Sequence, residues 1–331
     1  MKKTLVALAA VAVTGGAFAQ ATMTGAIAYG FQSDTTSSNV TTSGFGMEDA
    51  EINFAVSEDI EGVGKLGAGL GIGWGGRAST AGSNDSNITL TLTNGLKIAM
   101  KSEKGAEYLT GGIAGAGANF EADLTYLGGL TRSKNDTVAV SFPVAEGITL
   151  TVKHSEPNTE TTVGTGSAAD RGTLATTTTA AGEAQRHNTV SLDYKAGGLV
   201  VNGQYRSYDD QISNSAYYGN TKSRLSASYD LGVAKIGAGV DQTNYTYGNT
   251  KTATLVGATV PVGSLTLGVQ LLSISAAGNS TASSNYTRTS ALAGGMYSLS
   301  KRTYVTAQYY GGDVGGTSNQ TGYLLSLYNT F

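Results

Sequence analysis

The chain has 331 residues with 47 glycines, 18 tyrosines, 3 prolines and no cysteine, and its formal net charge is −3. So mild a charge argues against nucleic acid as a partner, and the lack of cysteine excludes a disulfide framework and a thiolate metal site. Glycine and tyrosine at this frequency with so little proline favour strands that tolerate curvature.

The first nineteen residues predict a secretory signal peptide. Lys2 and Lys3 precede an apolar run from Leu5 to Val13, and the stretch Ala17-Phe18-Ala19 is an A-x-A-type cleavage site. The run is shorter than the roughly 20 residues that a spanning helix needs. We therefore expect a signal peptide over 1–19 and one mature domain over 20–331.

The mature chain is predicted to form sixteen strands, because apolar and polar residues alternate with period two between turn residues. No continuous apolar run of helix-spanning length follows the signal, so a membrane location requires a closed barrel. The segments are 22–32, 46–57, 64–75, 86–93, 95–103, 136–144, 147–156, 188–195, 198–208, 222–231, 233–244, 251–260, 263–273, 289–299, 303–311 and 320–331.

The connections between these segments alternate in length. Those at 93–95, 196–198, 230–233 and 261–263 are tight, whereas those at 33–45, 104–135, 157–187, 209–221 and 274–288 are long and polar. An even strand count with short turns at one end and long loops at the other is typical of an outer-membrane barrel. The sequence therefore predicts an all-β fold, a 16-stranded antiparallel transmembrane β-barrel with a water-filled channel.

The last predicted strand, 320–331, ends on the aromatic Phe331. A closed sheet must pair its last strand with its first, and an aromatic side chain suits the interfacial girdle of a barrel. We expect Phe331 to contribute to barrel closure.

Three stretches resemble one known family, the trimeric general porins of Gram-negative outer membranes, in their beta-proteobacterial branch. They are "QATMTGAIAYGF" at the mature start, "RSKNDTVAVSFPVAEGITLTV" from Arg132, and "YSLSKRTYVTAQYYGG" from Tyr297. The resemblance implies a homotrimer in outer-membrane lipid, passive diffusion, short periplasmic turns, and a third loop that constricts the pore. It also implies that the C-terminal strand engages the barrel-assembly machinery. The chain departs from the branch at Met100-Lys101, where Gly-Arg is usual, and in a third loop without Pro-Glu-Phe.

Strand charges are assigned to a face by taking the apolar set of each strand as lipid-facing. A basic side chain on the lipid face would cost about 2–4 kcal/mol at the midplane, so the alternation is strongly enforced. The inward charges predicted in this way are Lys97, Lys101, Glu103, Lys153, Arg206 and Arg224. The long connection after segment 95–103 adds Glu107, Glu121, Asp123 and Arg132 as further candidates for the pore constriction. A ring of opposed charges selects ions by field and size.

An enzymatic function has little support. The chain has two histidines that could act in a hydrolase, His154 at a strand end and His187 at a loop end. The run "GGIAGAG" at 111–117 lacks the Lys-Ser/Thr of a phosphate loop. No catalytic residue, cofactor or metal is expected.

The leading hypothesis is a passive channel for small hydrophilic solutes and ions with a weak anion preference. The alternative is a surface-display or adhesion barrel whose loops bind a partner, although its longest loop is small for a folded binding domain. A sugar-specific channel would need a run of lumen aromatics, whereas inward alternation gives Tyr208, Tyr304 and Tyr328 on different strands.

Overall fold

A computed structural model of the chain describes residues 19–75, 82–104, 134–157, 186–209, 219–245, 248–278, 285–314 and 317–331. The proposed signal peptide lies outside these residues except for Ala19, with which the first strand begins. Among the described residues, no helix is long and apolar enough to cross a membrane.

The described residues form sixteen strands, β1 to β16 in chain order, which confirms the predicted number. Their bounds are β1 Ala19–Thr35, β2 Thr41–Ile60, β3 Gly64–Gly75, β4 Gly82–Leu92, β5 Lys97–Lys104, β6 Lys134–Ala145, β7 Ile148–Pro157, β8 His187–Ala196, β9 Leu199–Tyr208, β10 Gly219–Asp230, β11 Lys235–Tyr245, β12 Thr250–Val262, β13 Leu265–Ala277, β14 Tyr286–Ser298, β15 Thr303–Val314 and β16 Thr317–Thr330.

Every strand pairs antiparallel with its neighbours in sequence, and β16 pairs with β1, so the sheet is a closed barrel. Ala26 lies opposite Thr330, and Thr35 lies opposite Thr321. The backbones of Gly25 and Phe331 extend this seam, since each N–H donates to the other's carbonyl at 3.0 Å. Closure leaves the sheet without unpaired edges, as a membrane-spanning sheet requires.

The two faces of the wall differ as the alternation predicts. On β13, Leu267, Val269 and Leu271 are about half exposed on the outside, whereas Gln270 and Leu272 are buried inside. On β16, Tyr323, Leu325 and Leu327 point outward and Leu324, Ser326 and Tyr328 inward. A broad band of exposed apolar side chains on the outer face is stable only against lipid.

The inner face of β3 is formed largely by glycines. Its outward positions carry Leu66, Ala68, Leu70, Ile72 and Trp74, and the residues between them are glycines from Gly67 to Gly73. A Cβ atom at Gly67 would make ordinary van der Waals contact with the carbonyl oxygens of Val56 at 3.8 Å and Thr89 at 4.0 Å.

Short turns join the strands at one end. Between β4 and β5, Gly95 has φ +84°, and the Asn94 side chain accepts a hydrogen bond from Leu96 N at 3.1 Å. Between β10 and β11, Gly232 has φ +81°, and its N–H donates to the Asp230 carboxylate at 2.8 Å. Both glycines adopt left-handed backbone, Gly95 at the end of a three-residue loop between Leu92 and Leu96, and Gly232 in a two-residue loop between Leu231 and Ala234.

The predicted long connection at 33–45 is wrong. β1 and β2 continue to Thr35 and from Thr41, so the connection between them is only 36–40. The two strands remain paired because threonine and serine favour extended backbone, and the Thr35 and Thr41 hydroxyls lie 2.9 Å apart.

Candidate functional site

The inside of the barrel is the candidate site, because a 16-stranded barrel is too wide for its side chains to fill. On β5 and β7, Lys97, Lys101 and Lys153 line one cavity of about 210 Å³ on the inner wall. This agrees with the inward orientation that the alternation assigned to them. Met100, between the two β5 lysines, is 53% exposed on the opposite face.

A second basic group lies further round the wall on β9 and β10. Arg206 and Lys222 are opposite each other across the two strands and are 2% and 4% exposed. The Arg224 guanidinium donates to one Asp241 carboxylate oxygen at 2.6 and 2.9 Å, and Lys222 Nζ lies 3.6 Å from the other. Arg206 also donates to the Tyr208 hydroxyl at 3.3 Å. Lys222 and Arg224 thus share the Asp241 carboxylate across β10 and β11.

The sequence reasoning named Arg206 and Arg224 but missed Lys222 and Asp241. Both missed residues follow from the same alternation, since Leu225 and Val240 are exposed outward on their strands. The contact between Arg224 and Asp241 depends on strand register, because the two residues lie directly opposite each other on β10 and β11. Register is set by the whole hairpin, so the residue pattern of one strand does not predict this ion pair.

Acidic residues collect on β2, which the sequence reasoning also missed. Glu51 faces inward between outward Ala50 and Ile52, as alternation alone would indicate. A register shift opposite Ala28 and Tyr29 then adds Glu48, whose carboxylate lies against Gly30. A β-bulge of this kind changes which residues face inward, and sequence patterns rarely reveal it.

The acidic and basic groups lie on opposite sides of the lumen. In a closed ring of sixteen strands, strands eight apart face each other, and β2 therefore faces β10. Carboxylates on β2 thus oppose Lys222 and Arg224 on β10 across the opening. The electric field between these opposed charges points across the channel and acts on passing ions.

The inward tyrosines Tyr208, Tyr304 and Tyr328 lie on three different strands, as expected from the sequence, and two of them are in contact. Tyr304 and Tyr328 stack with ring centroids 4.9 Å apart and an interplanar angle of 8°. Tyr208 lies apart from them on β9, where its ring packs edge-on against His187. A stacked pair of rings is not the run of lumen aromatic residues that a sugar-specific channel would need.

The two histidines are on opposite faces. His187 is inward and 1% exposed, whereas His154 lines an outer groove beside Val138 and Glu156. The ring of His154 lies 2.8 Å from the Asn188 side chain and 3.6 Å from the Glu156 carboxylate. The wall between them prevents the two imidazoles from acting on one substrate.

Several predicted constriction residues cannot be placed. Arg132, Glu107, Glu121 and Asp123 lie outside the described residues, and the backbone of Glu103 is described but its side chain is not.

Phe331 lies at the seam. Besides its two backbone hydrogen bonds to Gly25, its ring occupies the space where a side chain at Gly25 would have to lie. This position is consistent with the expected role in barrel closure.

A closed sixteen-stranded barrel with an apolar exterior and charged interior walls is an outer-membrane channel. The sequence model of the family described as Gram-negative porin matches residues 4–317. The chain belongs to the Gram-negative porin family, which confirms the resemblance noted in the sequence.

Solved structures share this fold at low identity. The anion-selective porin from Comamonas acidovorans is 16% identical with a TM-score of 0.66, over 95% of this chain and 100% of that one. The in-vitro folded outer-membrane protein OmpT of Vibrio cholerae, in trimer form, is 12% identical with a TM-score of 0.66 over the same shares. A mutant of the Rh. blastica porin is 13% identical with a TM-score of 0.62, over 94% and 100%. A search of curated proteins found no match.

Proposed function

We propose that this outer-membrane channel conducts small hydrophilic solutes and ions by passive diffusion, without a chemical step, and prefers anions weakly. One observation carries the proposal: the inward lysines Lys97, Lys101 and Lys153 line one cavity on the channel wall. Cations on a channel wall raise the local concentration of anions and lower that of cations.

The acidic group on β2 limits this preference. Glu48 and Glu51 face the lumen from the side opposite β10, so cations find an attractive wall as well. We therefore propose a weak preference rather than exclusion. The Comamonas channel of the same fold is described as anion-selective, which is compatible with this proposal.

Processing and assembly form part of the proposal. A signal peptide over 1–19 directs export, a homotrimer forms in the outer membrane, and the C-terminal strand engages the barrel-assembly machinery. The signal rests on the residue pattern. The trimer is supported by the family and by the Vibrio cholerae protein, whose structure is described as a trimer.

The test is the reversal potential of purified protein in planar bilayers under a salt gradient. We expect a small potential of the sign given by anion preference, and Lys101→Glu should move it toward cation preference. Lys301→Glu, which makes the same charge change in an exposed turn, should leave it unchanged. A clear cation preference of the unmutated channel, or equal effects of both substitutions, would contradict the proposal.

A further inference from the structure

The sequence contains two Asn-Gly pairs, Asn94-Gly95 in the turn between β4 and β5 and Asn202-Gly203 within β9. A glycine after asparagine lets its backbone nitrogen approach the asparagine side chain, because no Cβ atom obstructs the approach. We propose that Asn94 is a site of spontaneous deamidation and that the fold protects Asn202. The reaction does not depend on the proposed channel function, whereas its effect on ion selectivity rests on that function.

The proposed reaction is intramolecular and consumes only water. The Gly95 backbone nitrogen loses its proton to water and bonds to Asn94 Cγ, while the bond from Cγ to Nδ2 breaks and Nδ2 takes up a proton and leaves as ammonia. The product is a succinimide ring. Water then adds to one of the two ring carbonyls, which gives aspartate when the bond from Cγ to nitrogen breaks and isoaspartate when the main-chain bond breaks. Neither step oxidises or reduces the chain.

The hydrogen bond that Asn94 accepts in the turn favours this reaction. Leu96 N–H donates to Asn94 Oδ1 at 3.1 Å. Attack on Cγ places negative charge on Oδ1, and a backbone N–H that already points at this oxygen stabilises the charge as it develops. The leaving nitrogen, Nδ2, belongs to an exposed side chain, so water can supply its proton.

The turn also permits the movement that ring closure requires. The peptide between Asn94 and Gly95 must rotate toward the asparagine side chain, and both residues are exposed. Gly95 has φ +84°, and glycine leaves this conformation at little steric cost. The Gly95 N–H donates to the Leu92 carbonyl at 2.9 Å, a bond at the exposed end of a hairpin, where opening costs little free energy.

Asn202 has the same following residue but different surroundings. Its strand is paired on both sides, with Gly203 opposite Leu192 of β8 and Leu225 of β10, and this pairing resists rotation of the peptide. Asn202 Nδ2 donates to the Asp193 carboxylate at 2.6 Å. That carboxylate repels the negative charge that attack would place on the neighbouring amide oxygen. The structure therefore distinguishes two sites that are identical as a sequence motif.

Conversion of Asn94 adds one negative charge at the end of the barrel that carries the short turns. Lys97 begins β5 three residues further along the chain and lines the wall cavity. Three residues span at most about 10 Å, which is comparable to the Debye length of about 8 Å at physiological salt. The new carboxylate therefore offsets part of the field of Lys97, and the proposed anion preference should weaken.

The experiment follows both asparagines by peptide-mapping mass spectrometry. The full-length, detergent-solubilised barrel is incubated at mildly alkaline pH in water enriched in a heavy oxygen isotope, which labels only the residues that convert during the incubation. We expect conversion of Asn94 to be about tenfold faster than that of Asn202, the ratio produced when the slower site must first break one more hydrogen bond to a charged group.

Two controls assign this difference to the fold. In the chain unfolded by urea, Asn94 and Asn202 should convert at similar rates. Asp193→Asn removes the carboxylate beside Asn202, so it should accelerate conversion at Asn202 in the folded barrel and leave the rate at Asn94 unchanged.

The modification site and its effect on selectivity are tested separately. Equal rates at the two asparagines in the folded barrel, or faster conversion of Asn202, would overturn the proposed site whatever the channel conducts. Asn94→Asp, which introduces the product carboxylate directly, should move the reversal potential in planar bilayers toward cation preference. An unchanged potential would overturn the effect on selectivity, while conversion of Asn94 in the mass spectrum would still support the site.

Discussion

Asp241 is the described residue that compensates the cations of β10. Its two carboxylate oxygens are taken by Arg224 and Lys222, and the side chains of all three are less than a tenth exposed. Removing one partner of a buried ion pair leaves uncompensated charge, which is more damaging than the loss of the pair itself.

Asp241→Asn should therefore lower the free energy of unfolding by about 3 kcal/mol. Urea unfolding of the barrel in detergent, followed by the shift of folded and unfolded bands in gel electrophoresis, measures the change. Glu61→Gln in an exposed turn is the control and should have no effect. Equal stability of both variants would show that the pair is not a stabilising contact.

Glu48, in contrast to Asp241, is a buried carboxylate whose charge is not compensated by a described hydrogen bond. Both of its carboxylate oxygens are buried, and neither has a hydrogen-bond partner among the described residues. Such a group incurs a desolvation cost without compensation.

Glu48→Gln should raise the free energy of unfolding by about 1 kcal/mol, because it removes an uncompensated charge at nearly constant volume. Thermal denaturation in detergent is the measurement, with exposed Glu58→Gln as the comparison. A destabilised Glu48→Gln variant would indicate that the carboxylate binds a cation in the folded barrel.

The seam strands are connected by side chains as well as by the backbone. The Tyr310 hydroxyl of β15 donates to Asp34 of β1, and Gln32 donates to both, to Tyr310 at 3.1 Å and to Asp34 at 2.8 Å. Between these strands lies β16, where a side chain at Gly322 would overlap Tyr310 and Asp34. A bond from β1 to β15 thus passes over β16 at a glycine.

Tyr310→Phe should lower stability by about 2 kcal/mol, since it removes a hydrogen bond to a carboxylate. Tyr309→Phe is a close control, because Tyr309 is 58% exposed on the outer face of the same strand. If both variants unfold at the same temperature, the hydrogen bond from Tyr310 to Asp34 across β16 contributes nothing to the stability of the barrel.

Deletion of Phe331 should impair assembly more than conduction. The deletion removes both backbone bonds to Gly25 and the ring that lies against it, while the lumen residues are untouched. We expect a lower yield of heat-resistant folded barrel and an unchanged single-channel conductance in the fraction that folds. An undiminished yield would contradict the role of Phe331 in closure.

Alternation predicted every strand because each has one face toward lipid, where polar side chains are costly. It did not predict the register shift opposite Ala28 and Tyr29. The bulge reverses the alternation of β2, but only Phe45 and Met47 mark the outward face before it, which is too short a pattern to detect. It also ended β1 too early and began β2 too late, since the Thr- and Ser-rich residues between these limits show little apolar alternation.

Across the whole barrel, the inward direction of Lys97, Lys101 and Lys153 could be predicted, but the cavity that they share could not. The shared cavity depends on the pairing of β5, β6 and β7, and the pattern of a single strand does not contain this information. The neutralising partner of Arg224 was missed for the same reason.

Anion preference should fade as salt rises. Opposed charges on the walls act through the water of the channel, where the Debye length falls from about 10 Å at ~0.1 M salt to about 3 Å at ~1 M. Reversal potentials measured at a fixed concentration ratio should therefore approach zero in concentrated salt. A potential independent of concentration would point to selection by size alone.

The glycine face of β3 also has a consequence for the bore of the channel. Between Gly67 and Gly73, β3 presents peptide groups rather than side chains on its inner face, whereas Leu255 of β12 and Leu272 of β13, further round the ring, are bulky on theirs. A larger residue at Gly67 should therefore add volume to the inner wall and lower single-channel conductance, and leucine at this position should have a stronger effect than alanine.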